Sequence, residues 1–328
     1  PPKYEYGWKQ IISFFLYILY IHNNFLFTFK KTWINKMSLR QKIDLSYQNI
    51  FIPNNVKKIG GKRLKQSFIK KKKLFSIITV VLNNEEFIED TIKSVINQNA
   101  DFEYIIIDGG STDKTIDIIK KYENKLDLWI SEKDLGIYHA MNKGIIYSNG
   151  DFIGIINSGD TYNVNSLGII KNYIKKNSSI DFIFGSVKKK KLKFGFNKNK
   201  INWSFDFYPS HSSGFFLSSE VQKKIGLYNL KYKLSADYDL FYRLIKGKFF
   251  GISTKKEEII GNFKSGSYSS TFSFDDQFLE EIQIRIDNNQ NRIIILFIIV
   301  LNFFYSKIQK KKLSLKFFFK LIMLSLKS

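Results

Sequence analysis

The 328-residue sequence contains no cysteine. Disulfides, thiolate metal sites and cysteine nucleophiles are therefore excluded, and the composition suits a reducing compartment. It also lacks an uninterrupted apolar run of transmembrane length. Ile293–Tyr305 is too short against the roughly 20 residues a bilayer needs, and His22, Asn23 and Asn24 interrupt Ile11–Phe29. No small-residue cleavage site follows the latter, which argues against a secretory signal. There is no internal repeat, no GxGxxG dinucleotide fingerprint and no Walker A loop. Acidic residues are missing from three long stretches. Residues 57–73, 188–200 and 307–328 carry nine, seven and seven basic residues and no acid. Together they equal the whole excess of 52 basic over 29 acidic residues, so the rest of the chain is electrically balanced.

Such runs can be solvated surface, nucleic-acid patches or anionic-lipid contacts. The last run is interleaved with large apolar residues and follows Ile293–Tyr305. That pattern suits a helix lying in a membrane interface, where each lysine contributes on the order of 1 kcal/mol beside an anionic leaflet.

Hydrophobic residues make up 44% of the chain, which fits a globular protein. Three parts are expected: an apolar then basic arm over 1–74, a strand–helix cadence over 75–250, and a helical, membrane-surface extension over 251–328. Phe75–Leu82 is a continuous β-branched run, the pattern of a strand buried on both faces. Asn83–Glu86 reads as a helix start with a capping box. Strands follow at Tyr104–Ile107, Leu126–Ile130, Phe152–Ile156 and Asp181–Val187. Helices are expected at Gly136–Tyr147 and Val164–Lys175. Alternation of this kind implies an α/β fold with a mostly parallel, doubly wound sheet. Ligands of such sheets sit beyond the C-terminal strand ends.

Acids stand just past two of those ends, Asp108 with Asp113, and Asp160. A third pair, Asp237 and Asp239, opens a later helix, and five constellations carry candidate chemistry. In 105-IIIDGGSTDKT-115 the glycines can simply turn the chain and Ser111, Thr112 or Asp113 can cap a helix. Alternatively Asp108 accepts from a uracil-type base while the glycines let backbone approach. In 131-SEKDLGIYHAMNKGI-145, Asp134, Asn142 and Lys143 lie beside a helix start, a place that favours phosphate. In 156-INSGD-160, Asp160 is either a turn residue or a carboxylate for a divalent cation. His211 in 211-HSSGFF-216 is structural or contacts acceptor or phosphate. In 235-SADYDLFYRL-244, Asp237 either favours a helix N-terminus or acts as general base, with Leu240, Phe241 and Leu244 inward and Arg243 on the surface.

In their order and spacing these motifs resemble family 2 glycosyltransferases, especially bacterial enzymes of polysaccharide and lipopolysaccharide assembly. The resemblance covers about 75–250. It implies a GT-A fold, a nucleoside-diphosphate sugar donor, Mn²⁺ or Mg²⁺, and inversion at the anomeric carbon. It further implies donor contacts from Asn83, Asp108, Gly110, Ser111, Asp113, Asp134, Asn142, Lys143 and Ser158, metal binding by Asp160, Asp237 as base, and His211 and Asp239 on the acceptor side. The chain departs from the family at Gly109, Ser158 and His139, each standing where an acid is common. The basic apolar tail adds the expectation of a lipid-linked or cell-surface saccharide acceptor, and of a cytoplasmic protein peripheral on the inner face of the plasma membrane. Nucleic acid is not an expected partner. The competing readings are a basic nucleic-acid-binding protein and a catalytically degenerate relative, the latter motivated by Ser158.

Overall fold

The computed structural model describes residues 58–65, 71–202, 211–264, 274–308, 318 and 321–325. The Ile11–Phe29 segment and most of the 307–328 tail lie outside these residues, as does part of the 57–73 run.

An eight-stranded sheet forms the centre. Its strands are β1 (Lys58–Gly60), β2 (Phe75–Val81), β3 (Phe102–Asp108), β4 (Leu128–Ser131), β5 (Phe152–Asn157), β7 (Phe182–Phe184), β10 (Phe215–Ser218) and β11 (Gly251–Ser253), in the order β1-β4-β3-β2-β5-β10-β7-β11. Neighbours from β4 to β5 run parallel, as do β7 and β11, whereas β1 and β10 pair antiparallel. A four-stranded sheet joins β6 (Thr161–Tyr162), β8 (Ser186–Lys188), β9 (Leu192–Lys193) and β12 (Ile259–Asn262) in the order β6-β12-β8-β9. The fold is thus α/β with a mostly parallel central sheet, and sheet pairing reaches beyond 75–250 at both ends.

All seven residues of β2 are buried, because helices cover both faces. On one side lie α1 (Ile88–Ile96), α2 (Thr115–Lys121) and α4 (Ser166–Lys176). On the other lie α3 (Ile137–Tyr147), α5 (Ser219–Ile225) and α6 (Ala236–Lys246). Alternate strand residues feed two cores: Ile78, Ile105 and Ile107 one, Ile77, Tyr104 and Ile106 the other. This is the period-2 consequence of pleating.

Three expectations change. The capping box does not form, since Asn83 takes a left-handed backbone (φ 46) and α1 begins only at Ile88. The side chains of 83–85 bond across to neighbouring loops instead. The Asp181–Val187 strand divides at Gly185, whose N–H leaves the ladder for Gly214 O at 2.8 Å, so β7 and β8 enter different sheets. Arg243 is not a surface residue. Its guanidinium donates to Ile225 O, Leu227 O (2.9 Å) and Asp239 (2.9 Å).

Two helices follow β12: α7 (Phe274–Asp287) and α8 (Arg292–Ile308). Arg285 of α7 is fully buried and bonds Tyr238 Oη at 2.7 Å, Ile201 O at 2.6 Å and Gln290 at 2.5 Å. Among the described residues, no helix is long and apolar enough to cross a membrane.

Gly144 of α3 faces β2 so closely that an added Cβ would overlap the Ile78 side chain. Helix propensity alone favours alanine there by about 1 kcal/mol, but overpacking costs roughly 1–3 kcal/mol. We expect Gly144→Ala to lower the unfolding free energy in urea; a stabilised variant would contradict the packing.

Candidate active site

The loops after β2, β3, β4 and β5 leave the sheet at one edge, because these four strands are parallel neighbours in register. Val81 pairs with Asp108, Val80 with Asn157, and Asp108 with Ser131. Hydrogen bonds then stitch the loops together. Asn83 Oδ1 accepts from Thr112 N (2.8 Å), and Asn83 N donates to Ser111 Oγ (2.7 Å). Asp113 accepts from Glu85 N (3.1 Å) and Thr115 N (3.0 Å). Asn84 Nδ2 reaches Ser158 Oγ at 2.8 Å.

Asp108 builds this rim from beneath. It is 0% exposed, and it accepts from Gly110 N (3.1 Å), Ser111 N (3.0 Å), Ser111 Oγ (2.5 Å) and Ser131 Oγ (2.6 Å). A carboxylate offers about four acceptor positions, so Asp108 orients the glycine loop and is not exposed to a base. Asn142, expected at the donor, is likewise turned inward. It is 0% exposed and exchanges two bonds with the backbone of Tyr228, at 2.8 and 2.9 Å. Lys143 is also occupied: its buried ammonium joins Glu132 (3.0 Å) and Asp134. Asp239 is bound by Arg243 and by Asn288 Nδ2 (3.0 Å), and is buried rather than turned to an acceptor.

Other groups retain free valence. Asp134 Oδ1 meets Lys143 and His139 Nδ1 (3.0 Å), while Asp134 Oδ2 and His139 Nε2 have no partner although buried. Gly109 admits this carboxylate, since a Cβ there would stand 3.2 Å from Asp134 Oδ2. Two departures from the family pattern, Gly109 and His139, therefore flank a single carboxylate.

Asp160 follows β5. Its Oδ1 accepts from Lys264 N at 3.0 Å, while Oδ2 is buried without a partner. Burial pushes the carboxyl up to about 7, partly offset by the Lys264 N–H, by Lys189 and by the nearby Ser213 hydroxyl, although Ser213 Oγ has no partner in bonding geometry. His211 Nδ1 accepts from Gly214 N (3.1 Å), and Nε2 is buried without a partner. Burial, then Lys189 and Lys193, hold this imidazole down at about 3, so it is neutral.

Asp237 stands in the first turn of α6. Tyr138 Oη donates to Asp237 Oδ1 at 2.9 Å and approaches Leu234 O at 3.0 Å. Burial, then the Asp237 charge, raise the Tyr138 phenol well above its usual range, so it stays a proton donor. Lys189 links the two sides. It follows β8, half-buried, with its ammonium 4.1 Å from the Phe263 ring centroid. Burial and then Lys193 lower its pKa, while both Asp160 and Asp237 act in the opposite direction. Asp160 and Asp237 therefore share one electrostatic field. Sequence reasoning missed Tyr138, hidden among apolar neighbours, and Lys189, one of four consecutive lysines.

Among the described residues no group of three His, Asp or Glu side chains is placed to hold a metal. One buried, unpartnered carboxylate oxygen at Asp160 still fits a cation whose other ligands come from substrate phosphate and water.

Asp160 raises a testable point for the ligand-free protein. Its folded pKa lies above the unfolded value of 3.8, so the folded state binds the extra proton. Stability is then lost as pH rises from about 4 towards 7. Asp160→Asn should match wild type near pH 4 and exceed it by a few kcal/mol, in order of magnitude, at pH 8. Equal urea midpoints at both pH values would contradict the burial of this charge.

The family description Glycosyl transferase family 2 matches residues 76–236. A "PGL/p-HBAD biosynthesis glycosyltransferase" of Mycobacterium bovis (strain BCG / Pasteur 1173P2) is 25% identical over 218 residues, covering 64% of this chain and 84% of that one. The Staphylococcus aureus (strain Mu50 / ATCC 700699) poly(ribitol-phosphate) beta-N-acetylglucosaminyltransferase TarS is 30% identical over 111 residues, 32% of this chain and 19% of TarS. In three dimensions, S. aureus TarS 1-349 in complex with UDP-GlcNAc superposes with a TM-score of 0.55 at 18% identity, covering 77% and 79% of the two chains. The mannosyltransferase PcManGT from Pyrobaculum calidifontis, solved with GDP-Man and Mn²⁺, gives 0.52 at 13% identity, covering 76% and 72%. Their fold is GT-A, the sheet and the order of motifs agree with it, and the chain belongs to the family 2 glycosyltransferases.

Proposed function

We propose that this glycosyltransferase takes a sugar from a nucleoside-diphosphate donor and passes it to an acceptor hydroxyl with inversion. The observation that carries this reading is the pair Asp160 and Asp237, two carboxylates of different surroundings acting on one half-buried lysine. The donor class is supported by the UDP-GlcNAc and GDP-Man complexes of the structural neighbours.

Direct displacement needs a base on the face opposite the leaving diphosphate. Asp237 takes the acceptor's proton as the hydroxyl attacks C1, a contribution of ~10²–10⁴-fold. Tyr138 donates to Asp237 Oδ1 and so orients the carboxylate. At the other end charge develops on the diphosphate as the C1–O bond breaks. Lys189 faces that charge, and Asp160 Oδ2 would hold Mn²⁺ or Mg²⁺, which supplies Lewis-acid stabilisation when bound. Asp113, Gly110, Ser111 and Asn83 shape the nucleoside loop, with Asp108 below it. Asp134 Oδ2 accepts from a ribose or sugar hydroxyl. Ser158, bonded to Asn84, ties the loop rather than binding metal. His211, neutral and buried, lines the acceptor side.

Asp237→Asn should lower kcat by ~10²–10⁴-fold while donor affinity stays within a factor of two or so of wild type. Undiminished turnover in a coupled nucleotide-release assay would reject Asp237 as the base.

We also propose that the acceptor is a lipid-linked or cell-surface saccharide met at the inner face of the plasma membrane. Residues 307–328 carry seven lysines and no acid. Ile293, Phe297 and Leu301 of α8, four residues apart, stay 50%, 44% and 43% exposed. Such a stripe beside lysines suits an anionic lipid surface. Sedimentation with phosphatidylserine vesicles at low salt should pull the protein down and high salt release it; a protein that stays in the supernatant sinks this part.

A further inference from the structure

The segment that delivers Asp237 is fixed by a residue far along the chain, in a helix outside the matched family segment. Ser235 is the N-cap of α6, yet its hydroxyl makes no capping bond and is buried without a partner. No side chain caps this helix entrance locally, and the backbone that leads into it is held instead by Glu280 of α7. Its Oε1 accepts from Lys233 N at 2.8 Å, and its Oε2 from Leu234 N at 2.8 Å and Ser235 N at 2.9 Å. Three consecutive backbone donors converge on one carboxylate, the geometry of a strong charge-assisted anchor.

The middle one of these residues is also approached from the opposite side. Leu234 O lies 3.0 Å from Tyr138 Oη, the hydroxyl that bonds Asp237 Oδ1. Leu234 thus lies between Glu280, bound at its N–H, and the Tyr138 hydroxyl, whose single proton is shared between the Leu234 carbonyl and Asp237 Oδ1. Asp237 lies only two residues past Ser235. Around this point α7 is tied to the preceding loop and to α6. Asp287 accepts from Tyr232 Oη at 2.5 Å and pairs with Lys231, while Asn288 bonds Asp239 and Arg285 bonds Tyr238. These contacts hold the helix body. Among the described residues, Glu280 is the side chain that accepts from the backbone N–H groups immediately before the base.

We propose that Glu280 is a positioning residue for the transfer reaction, setting the approach of the Asp237 carboxylate to the acceptor hydroxyl by anchoring the 233–235 backbone. The inference rests on Asp237 being the base. Glu280 acts through the backbone N–H groups of residues 233–235. Its loss frees the 233–235 segment and lets Asp237 leave attack geometry, and a misplacement of about 1 Å can cost on the order of 100-fold. The donor loops 82–85, 109–115 and 157–160 bond to one another, and among the described residues Glu280 bonds to the 233–235 backbone instead. Donor affinity is then untouched.

The test measures kcat, donor KM and nucleoside-diphosphate affinity for Glu280→Ala and Glu280→Gln in the full chain. Glu280→Ala should lose roughly 10- to 100-fold in kcat with donor KM and nucleotide affinity within about a factor of two of wild type. Glu280→Gln keeps one carbonyl acceptor, able to receive two N–H bonds, and should recover an intermediate kcat. Nucleotide binding by calorimetry confirms that each variant is folded. Wild-type kcat in Glu280→Ala overturns the proposal. So does a parallel loss of kcat and nucleotide affinity, which marks general loosening, or a Gln variant no better than Ala. If Asp237→Asn itself keeps turnover, the base assignment fails first. If that variant is dead while Glu280→Ala is normal, only the positioning role fails.

Discussion

The site depends on the place of β2 in the sheet. It lies between β3 and β5 and runs parallel to both. Chain order moves outward to β4 on one side before returning to β5 on the other, so β2 and β5 border the point where the winding reverses. Loops from adjacent parallel strands diverge at such a point and leave a crevice. Asp108, Ser131 and Asn157 all pair at the same sheet edge. The acids that follow these strands are brought together by topology.

Electrostatics separates structural acids from those with capacity to bind. Asp108 and Asp239 are buried and filled by protein donors. Asp134 is filled on one oxygen, by Lys143 and His139, and empty on the other. Asp160 has one backbone donor and one bare oxygen. Buried polar atoms in native proteins nearly always find partners. Atoms without a partner at Asp134, His139, Asn157, Asp160, His211 and Ser213 gather near the strand ends. The pKa of about 7 at Asp160 has burial as its main cause, for a desolvated carboxylate favours its neutral form.

Much of this was legible in the sequence because buried parallel strands must be apolar throughout. Phe75–Val81 and Phe152–Asn157 lie where continuous apolarity put them, and α3 begins after Gly136 as expected. The chemistry of single residues was less legible. An aspartate at a strand end looks the same whether it faces ligand or its own loop, and only Ser111 and Ser131 folding onto Asp108 settle that. Asn142 and Lys143 sit on the helix face turned inward, so their partners at Tyr228, Glu132 and Asp134 are tertiary. The capping-box pattern at 83–86 was overridden by cross-loop bonds to 111–115 and Ser158. Tyr138 sits unmarked inside the 131–145 constellation, and Lys189 and Glu280 lie outside all five. Each matters through a partner 99, 48 or 45–47 residues away, and local pattern does not encode such distances.

The central claim is that Asp160 and Asp237 flank one donor sugar, with the diphosphate on the Asp160 side and the attacking face on the Asp237 side. A crystal structure of the chain with Mn²⁺ and a non-transferable nucleotide-sugar analogue tests it directly. The expected density has Mn²⁺ on Asp160 Oδ2, bridged to the diphosphate, with Asp237 beyond C1 on the face away from the leaving oxygen. A nucleotide bound elsewhere, or an Asp237 carboxylate on the same face as the diphosphate, would contradict the assignment.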